Sequence, residues 1–176
     1  MKYRLLVACL LTPLLHSAFA ISAEDDPLRA LSFLEGTWEG RVAAGFSAAQ
    51  SSGQYSFTRE LSGHVLARRA EGYESCTGPK DFDCGHHDLL YVYQDAPHAL
   101  RAIYFDNEGH VIHYDVATPD ANTALFVSTP STSGPQFRLV YRLEDARLSG
   151  KFQMRAPGAT DWKSYLEWSG RRRSPP

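Results

Sequence analysis

The sequence predicts an all-β protein: an antiparallel meander β-barrel of about ten short strands, preceded by one short N-terminal helix. Three observations carry that expectation. From Thr37 onward, runs rich in aromatic and β-branched residues alternate with turn signals. Within those runs, apolar and charged residues alternate with a period of two, as on a strand with one buried face. After Gly36, no segment sustains helical periodicity.

The first residues set the compartment. "MKYR" is a basic start, "LLVACLLTPLL" is apolar, and "HSAFA" ends in small residues at Ala18 and Ala20. That order predicts a signal peptide over residues 1–20, cleaved after Ala20, and hence a periplasmic or secreted protein. The apolar run is well short of the ~20 residues a spanning helix needs. Cys9 comes too early in that run to serve as a lipidation site. What remains has the size of one ordinary domain. The whole chain carries a formal net charge of −2, and loss of Lys2 and Arg4 makes the remainder more acidic. Such a chain has no electrostatic reason to seek nucleic acid or anionic lipid.

Residues 21–26, "ISAEDD", read as a flexible lead-in. In "PLRALSFLEG", Pro27 suits a first helical turn, Leu28, Leu31 and Leu34 share one side, and Gly36 stops the helix. The strands follow: "TWEGRVAAGF", "GQYSFTREL", "HVLARRAEGYE", "HDLLYVYQD", "ALRAIYFD", "HVIHYDVAT", "TALFVST", "QFRLVYRLE", "RLSGKFQMRA" and "KSYLEWSGR". In "FRLVYRL", Phe137, Leu139, Tyr141 and Leu143 oppose Arg138, Val140 and Arg142; in "GKFQMR", Phe152 and Met154 oppose Lys151, Gln153 and Arg155. An outer-membrane barrel would set these arginines and lysines in lipid, so a barrel with an apolar interior is expected, not embedded in a membrane. The single domain spans 27–170, and "RRRSPP", 171–176, reads as a solvated basic tail.

Chemistry is concentrated in "CTGPKDFDCGHHD", residues 76–88. With Cys9 lost, Cys76 and Cys84 form an even pair in an oxidising compartment, which predicts a disulfide. Their spacing is not that of a redox motif, and Gly78-Pro79 supplies a turn between them. His86 and His87 are adjacent, and His110 and His113 are three apart; on a strand each pair divides between opposite faces. A site could be assembled from one histidine of each element, but no spacing asks for one, and neither a metal nor another cofactor is expected. The hairpin 101–115 holds Tyr104, Asp106, Glu108, His113, Tyr114 and Asp115, enough for proton transfer. Its plainer reading is a turn at Asn107-Glu108-Gly109, with Asp106 bonding to turn amides.

"FLEGTWEGR", 33–41, resembles the Gly-x-Trp start of lipocalins and the wider calycin group, and with Gly40 it looks closest to nitrobindin-like and uncharacterised lipocalin-like bacterial barrels. The resemblance implies that Trp38 plugs one end of the core and that a late arginine, Arg171 or Arg172, covers the indole by cation–π attraction. It also implies a barrel enclosing a small ligand. Nitrobindin-like barrels bind haem through a histidine on a late strand. The last two strands here have no histidine, so haem is not carried over. The expected function is therefore non-catalytic binding of a small hydrophobic or amphipathic molecule, with Trp38, Tyr91, Tyr104, His113 and Tyr141 as candidate contacts. The alternatives are a barrel enzyme (isomerase, lyase or hydrolase) using the 101–115 hairpin, and a partner-binding module with a solid interior.

Overall fold

A computed structural model describes residues 26–47, 49, 51–77, 84–130 and 134–174. The leader, almost all of the lead-in and the Gly78-Pro79 turn lie outside the described residues. Ten strands follow one another: β1 (Gly36–Val42), β2 (Ser52–Glu60), β3 (Val65–Glu71), β4 (His87–Ala96), β5 (Ala99–Asp106), β6 (Val111–Asp120), β7 (Thr123–Ser128), β8 (Gln136–Glu144), β9 (Arg147–Arg155) and β10 (Lys163–Arg172). Each is antiparallel to its sequence neighbour, and β1 pairs with β10 to close the barrel. The strands expected from alternation all form, with their ends displaced by a few residues at most. Closure leaves the sheet of the described residues without a free edge strand.

The short helix is a 3-10 helix over Arg29–Leu34. Its leucines explain the choice. Leu28, Leu31 and Leu34 are three apart, the repeat of a 3-10 helix, and all three are fully buried beneath the barrel. Arg59 on β2 ties this segment down through Asp26 at 2.9 Å and Glu35 at 2.7 Å. A second, single-turn 3-10 segment, Leu61–Gly63, joins β2 to β3.

The two ends of the barrel differ. At one end, here the turn end, lie the 3-10 helix and the tight connections β2–β3, β4–β5, β6–β7 and β8–β9. At the other, the loop end, lie the longer connections 43–51, 72–86, 107–110, 129–135 and 156–162. Rows of paired residues line the interior. One runs Phe57, Arg68, Leu90, Tyr104, Ile112 across β2 to β6. Another runs Val42, Trp168, Gly150, Tyr141, Ala124 from β1 round to β7. The outer face carries ion pairs such as Arg69–Glu60, Arg101–Asp115 and Lys151–Glu167.

Candidate functional site

The turn end is shut. Trp38 is 1% exposed, and its Nε1–H donates to the Leu34 carbonyl at 2.7 Å. The Arg172 guanidinium stands 4.4 Å from the indole centre and donates to the carbonyls of Glu35 and Phe33. Arg172, not Arg171, is the arginine over the tryptophan, because β10 turns Arg172 inward opposite Trp38 and leaves Arg171 opposite Glu39. Trp38 is thus a stopper held from both sides.

The middle is filled by rings. Tyr141 meets Phe57 at 5.3 Å between centroids, Trp168 at 5.8 Å, Phe126 at 6.2 Å and Tyr55 at 6.4 Å. All but the last are edge-to-face, the arrangement favoured by the ring quadrupole. The Trp168 indole lies against Gly150, where a Cβ would collide with it.

Within this apolar packing sits a charged pair. Arg68 points inward from β3 and forms an ion pair with Asp88 of β4; both side chains are about nine-tenths buried. Strand parity forces the placement. Leu66, Arg68 and Ala70 share one face of β3 while Ala67, Arg69 and Glu71 share the other, so one arginine of the Arg68-Arg69 doublet had to enter the core. Asp88 shares its face of β4 with Leu90 and Val92, both fully buried. The Arg68 guanidinium also lies 5.2 Å from the Tyr55 ring centre. Three buried atoms around it make no hydrogen bond of good geometry, Arg68 Nε and the hydroxyls of Tyr55 and Tyr141, although the Tyr141 hydroxyl lies within reach of Arg68 and the Tyr55 hydroxyl within reach of Trp168.

Burial pushes the Tyr55 phenol up to about 12, against smaller opposing pulls from the Trp168 indole N–H and then Arg68. Burial likewise pushes up the phenols of Tyr104, Tyr114 and Tyr141. At neutral pH these four are hydrogen-bond donors, not bases or nucleophiles.

The candidate contacts divide. Tyr141 and Tyr104 face the interior, Tyr141 at the centre and Tyr104 towards the loop end. Trp38 closes the opposite end. Tyr91 and His113 lie on the outer face: the interior neighbours Leu90 and Val92 flank Tyr91, and the buried Tyr114 follows His113. Tyr104 and His113 therefore do not converge, because β5 pairs Tyr104 with Ile112 and Ile103 with His113. The proton-transfer hairpin does not assemble around them.

A second polar group surrounds the loop end. The disulfide Cys76–Cys84 forms there, in the connection preceding β4. His86 Nε2 lies 3.1 Å from the Tyr104 hydroxyl and 3.8 Å from Asp88, while its Nδ1 lies 3.4 Å from Glu108. Asp106 has a side chain only 4% exposed; Oδ1 accepts the backbone N–H groups of Glu108 and His110, and Oδ2 meets the His110 ring at 2.9 Å. Burial would raise the Asp106 carboxyl, but the His110 N–H and ring hold it below the usual carboxylate range. His87 is exposed on the outer face, as its separation from His86 by parity requires.

Sequence reasoning missed Arg68, Asp88 and Tyr55, although the parity of "LARRA" and "HDLLYV" contained the signal. Two shallow depressions open to solvent, one by Asp145, Arg147 and Arg172 and one by Gln136 and Arg155; neither is lined by Arg68, Asp88 or a buried tyrosine. No known family model matches the chain, and no curated protein does.

Proposed function

We propose that this is an exported, calycin-like barrel that binds a small amphipathic molecule without transforming it, with the polar end of the ligand at Arg68. The observation that carries the reading is the cluster of three poorly satisfied buried atoms around one guanidinium: Arg68 Nε has no hydrogen bond, and Tyr141 Oη and Tyr55 Oη have only ill-aligned neighbours in Arg68 and Trp168. Each such group costs on the order of 1–3 kcal/mol when left unmet. A carboxylate or phenolate oxygen supplies acceptors for all of them at once, and charge-assisted bonds to a guanidinium are the strong kind. The apolar part would lie among the rings of Phe57, Tyr114 and Phe126, which are packed against their neighbours and must part to admit it. Access is from the loop end, past the half-buried Tyr104, since Trp38 and Arg172 block the other end.

Several features support the setting. The short helix, Gly36-Thr37-Trp38 and the overlying Arg172 agree with a lipocalin-like start. The disulfide suits an oxidising compartment. The ion-paired outer face suits water and not lipid, and no helix among the described residues is long and apolar enough to cross a membrane.

Native mass spectrometry of protein purified from its own source, followed by calorimetric titration with fatty acids and aromatic carboxylates, tests the reading. A bound small molecule, or uptake that Arg68→Met weakens at least tenfold, is expected. A uniformly empty barrel that takes up no such compound sinks it. The close ring packing around Tyr141 favours the second reading, a solid barrel acting as a partner-binding module, and that same negative result would point there.

A further inference from the structure

We propose that the loop end carries a zinc-type divalent-cation site, with His86, Asp106 and Glu108 as ligands and His110 as the fourth. The inference does not depend on ligand binding inside the barrel.

The donor atoms are already gathered. One atom each of His86, Asp106 and Glu108 lie within 4.8 Å of one another. His86 Nδ1 is 3.4 Å from Glu108, and His110 Nδ1 is 2.9 Å from Asp106 and 3.6 Å from Glu108. Four ligands at about 2.0–2.2 Å from a tetrahedral zinc ion stand roughly 3.3–3.5 Å apart. These three separations bracket that value, but His86 and His110 approach different oxygens of Glu108 and His110 stands outside the group of three, so His110 must swing in to become the fourth ligand.

The far side of His86 gives an independent reason. A metal-bound imidazole characteristically places its second nitrogen against a carboxylate or another acceptor, which sets the tautomer and holds the ring. His86 has this arrangement: Nδ1 faces the carboxylate cluster, and Nε2 faces the Tyr104 hydroxyl at 3.1 Å and Asp88 at 3.8 Å. Asp88 is in turn held by Arg68. The chain of contacts from Glu108 through His86 and Asp88 to Arg68 leaves Nδ1 as the nitrogen available to a cation.

The two ligand-bearing elements are also fastened to each other. The His87 N–H donates to the Asn107 side chain at 2.8 Å, and the Asn107 side chain donates to the Gly85 carbonyl at 3.2 Å. The Asn107 N–H donates to the His87 carbonyl at 3.1 Å. The Cys76–Cys84 bridge closes the connection that delivers His86. These bonds remove much of the ordering that a metal would otherwise have to impose on the chain.

The donor set selects the ion. Two carboxylates balance a divalent charge, and the two imidazoles favour zinc or a similar transition ion over magnesium or calcium, which prefer all-oxygen shells. Strand parity, which divides His86 from His87 and His110 from His113, does not oppose this site. It takes one histidine from each pair.

Chelator-stripped protein with its disulfide intact should be titrated with Zn²⁺ by calorimetry and with Co²⁺ by visible absorption. One saturable site in the micromolar range or tighter is expected, with Co²⁺ bands typical of low coordination. His86→Ala and Glu108→Gln should each weaken it about 10–100-fold, and His113→Ala, on the outer face, should leave it unchanged. Glu108 is on an exposed turn, so its substitution tests the site even if His86→Ala disturbs the loop. At one fixed Zn²⁺ concentration the Tm of the wild type should rise more than that of Glu108→Gln. Absence of saturation by millimolar Zn²⁺, or wild-type affinity in both ligand variants, would overturn the proposal.

Discussion

Arg68 and Asp88 neutralise each other inside an apolar barrel, so neither tolerates the loss of its partner. Asp88→Ala should destabilise the fold by about 3–5 kcal/mol, because it strands a buried cation. Replacing both by leucine should recover much of that loss, and urea denaturation of the two variants measures the difference. The tyrosines make a second residue-scale prediction. Burial raises the phenols of Tyr55, Tyr104, Tyr114 and Tyr141 above their ordinary value of 10. Above that pH the unfolded chain releases protons that the folded chain retains, so stability must fall as pH rises. It is intact below pH 10 and declines by about 1.4 kcal/mol per pH unit for each buried phenol. Absorbance at 295 nm should show these phenols ionising only as the protein unfolds, between about pH 10 and 12. The Arg68-Arg69 doublet was legible as a parity problem, since one member had to enter the core. Its partner was not, because pairing Arg68 with Asp88 depends on the register of β3 against β4.

At the scale of elements, the existence and order of the strands were the most legible features, since alternation and turns mark them locally; their ends were less so, and β1 stops at Val42, short of Phe46. Two positions within them carry specific expectations. Gly150 leaves room for the Trp168 indole, so Gly150→Ala should displace that ring and lower stability by about 1–3 kcal/mol. The turn between β8 and β9 is Asp145-Ala146, both with positive φ, 48° and 60°. A two-residue turn of that kind favours glycine in its second place, and a left-handed Ala costs roughly 1–2 kcal/mol. Ala146→Gly should therefore raise the Tm. The Cys76–Cys84 bridge closes a loop of sequence separation 8. Its removal by Cys→Ser at both positions should cost at most about 2.5 kcal/mol, enough to loosen His86 without unfolding the barrel. The 3-10 form of the N-terminal segment follows from the three-residue spacing of Leu28, Leu31 and Leu34.

For the whole molecule, the decisive event is the pairing of β1 with β10. It joins residues more than a hundred positions apart, from Trp38 opposite Arg172 to Val42 opposite Trp168. A chain ending before Lys163 should lose both the stopper and the closure, exposing edges on β1 and β9. Such a truncation is expected to bind apolar dyes and to lack a cooperative melting transition. Export is tested at the same scale: the protein recovered from its own source should begin at Ile21, as intact mass would show.

By itself, the sequence determined the class of the fold, the number and order of the strands, the cysteine pair that forms the disulfide and the alternation of β8 and β9, because these depend on local periodicity and on an even count of cysteines. The tertiary structure decided which residues meet. It set Tyr91 and His113 outside and Tyr104 and Tyr141 inside, placed Arg172 over Trp38, and gathered Arg68, Asp88 and four phenols within one core. It also brought His86 to the turn that carries Asp106, Glu108 and His110. Those encounters depend on register and closure, which couple distant segments through backbone pairing and leave no mark in any short stretch of sequence.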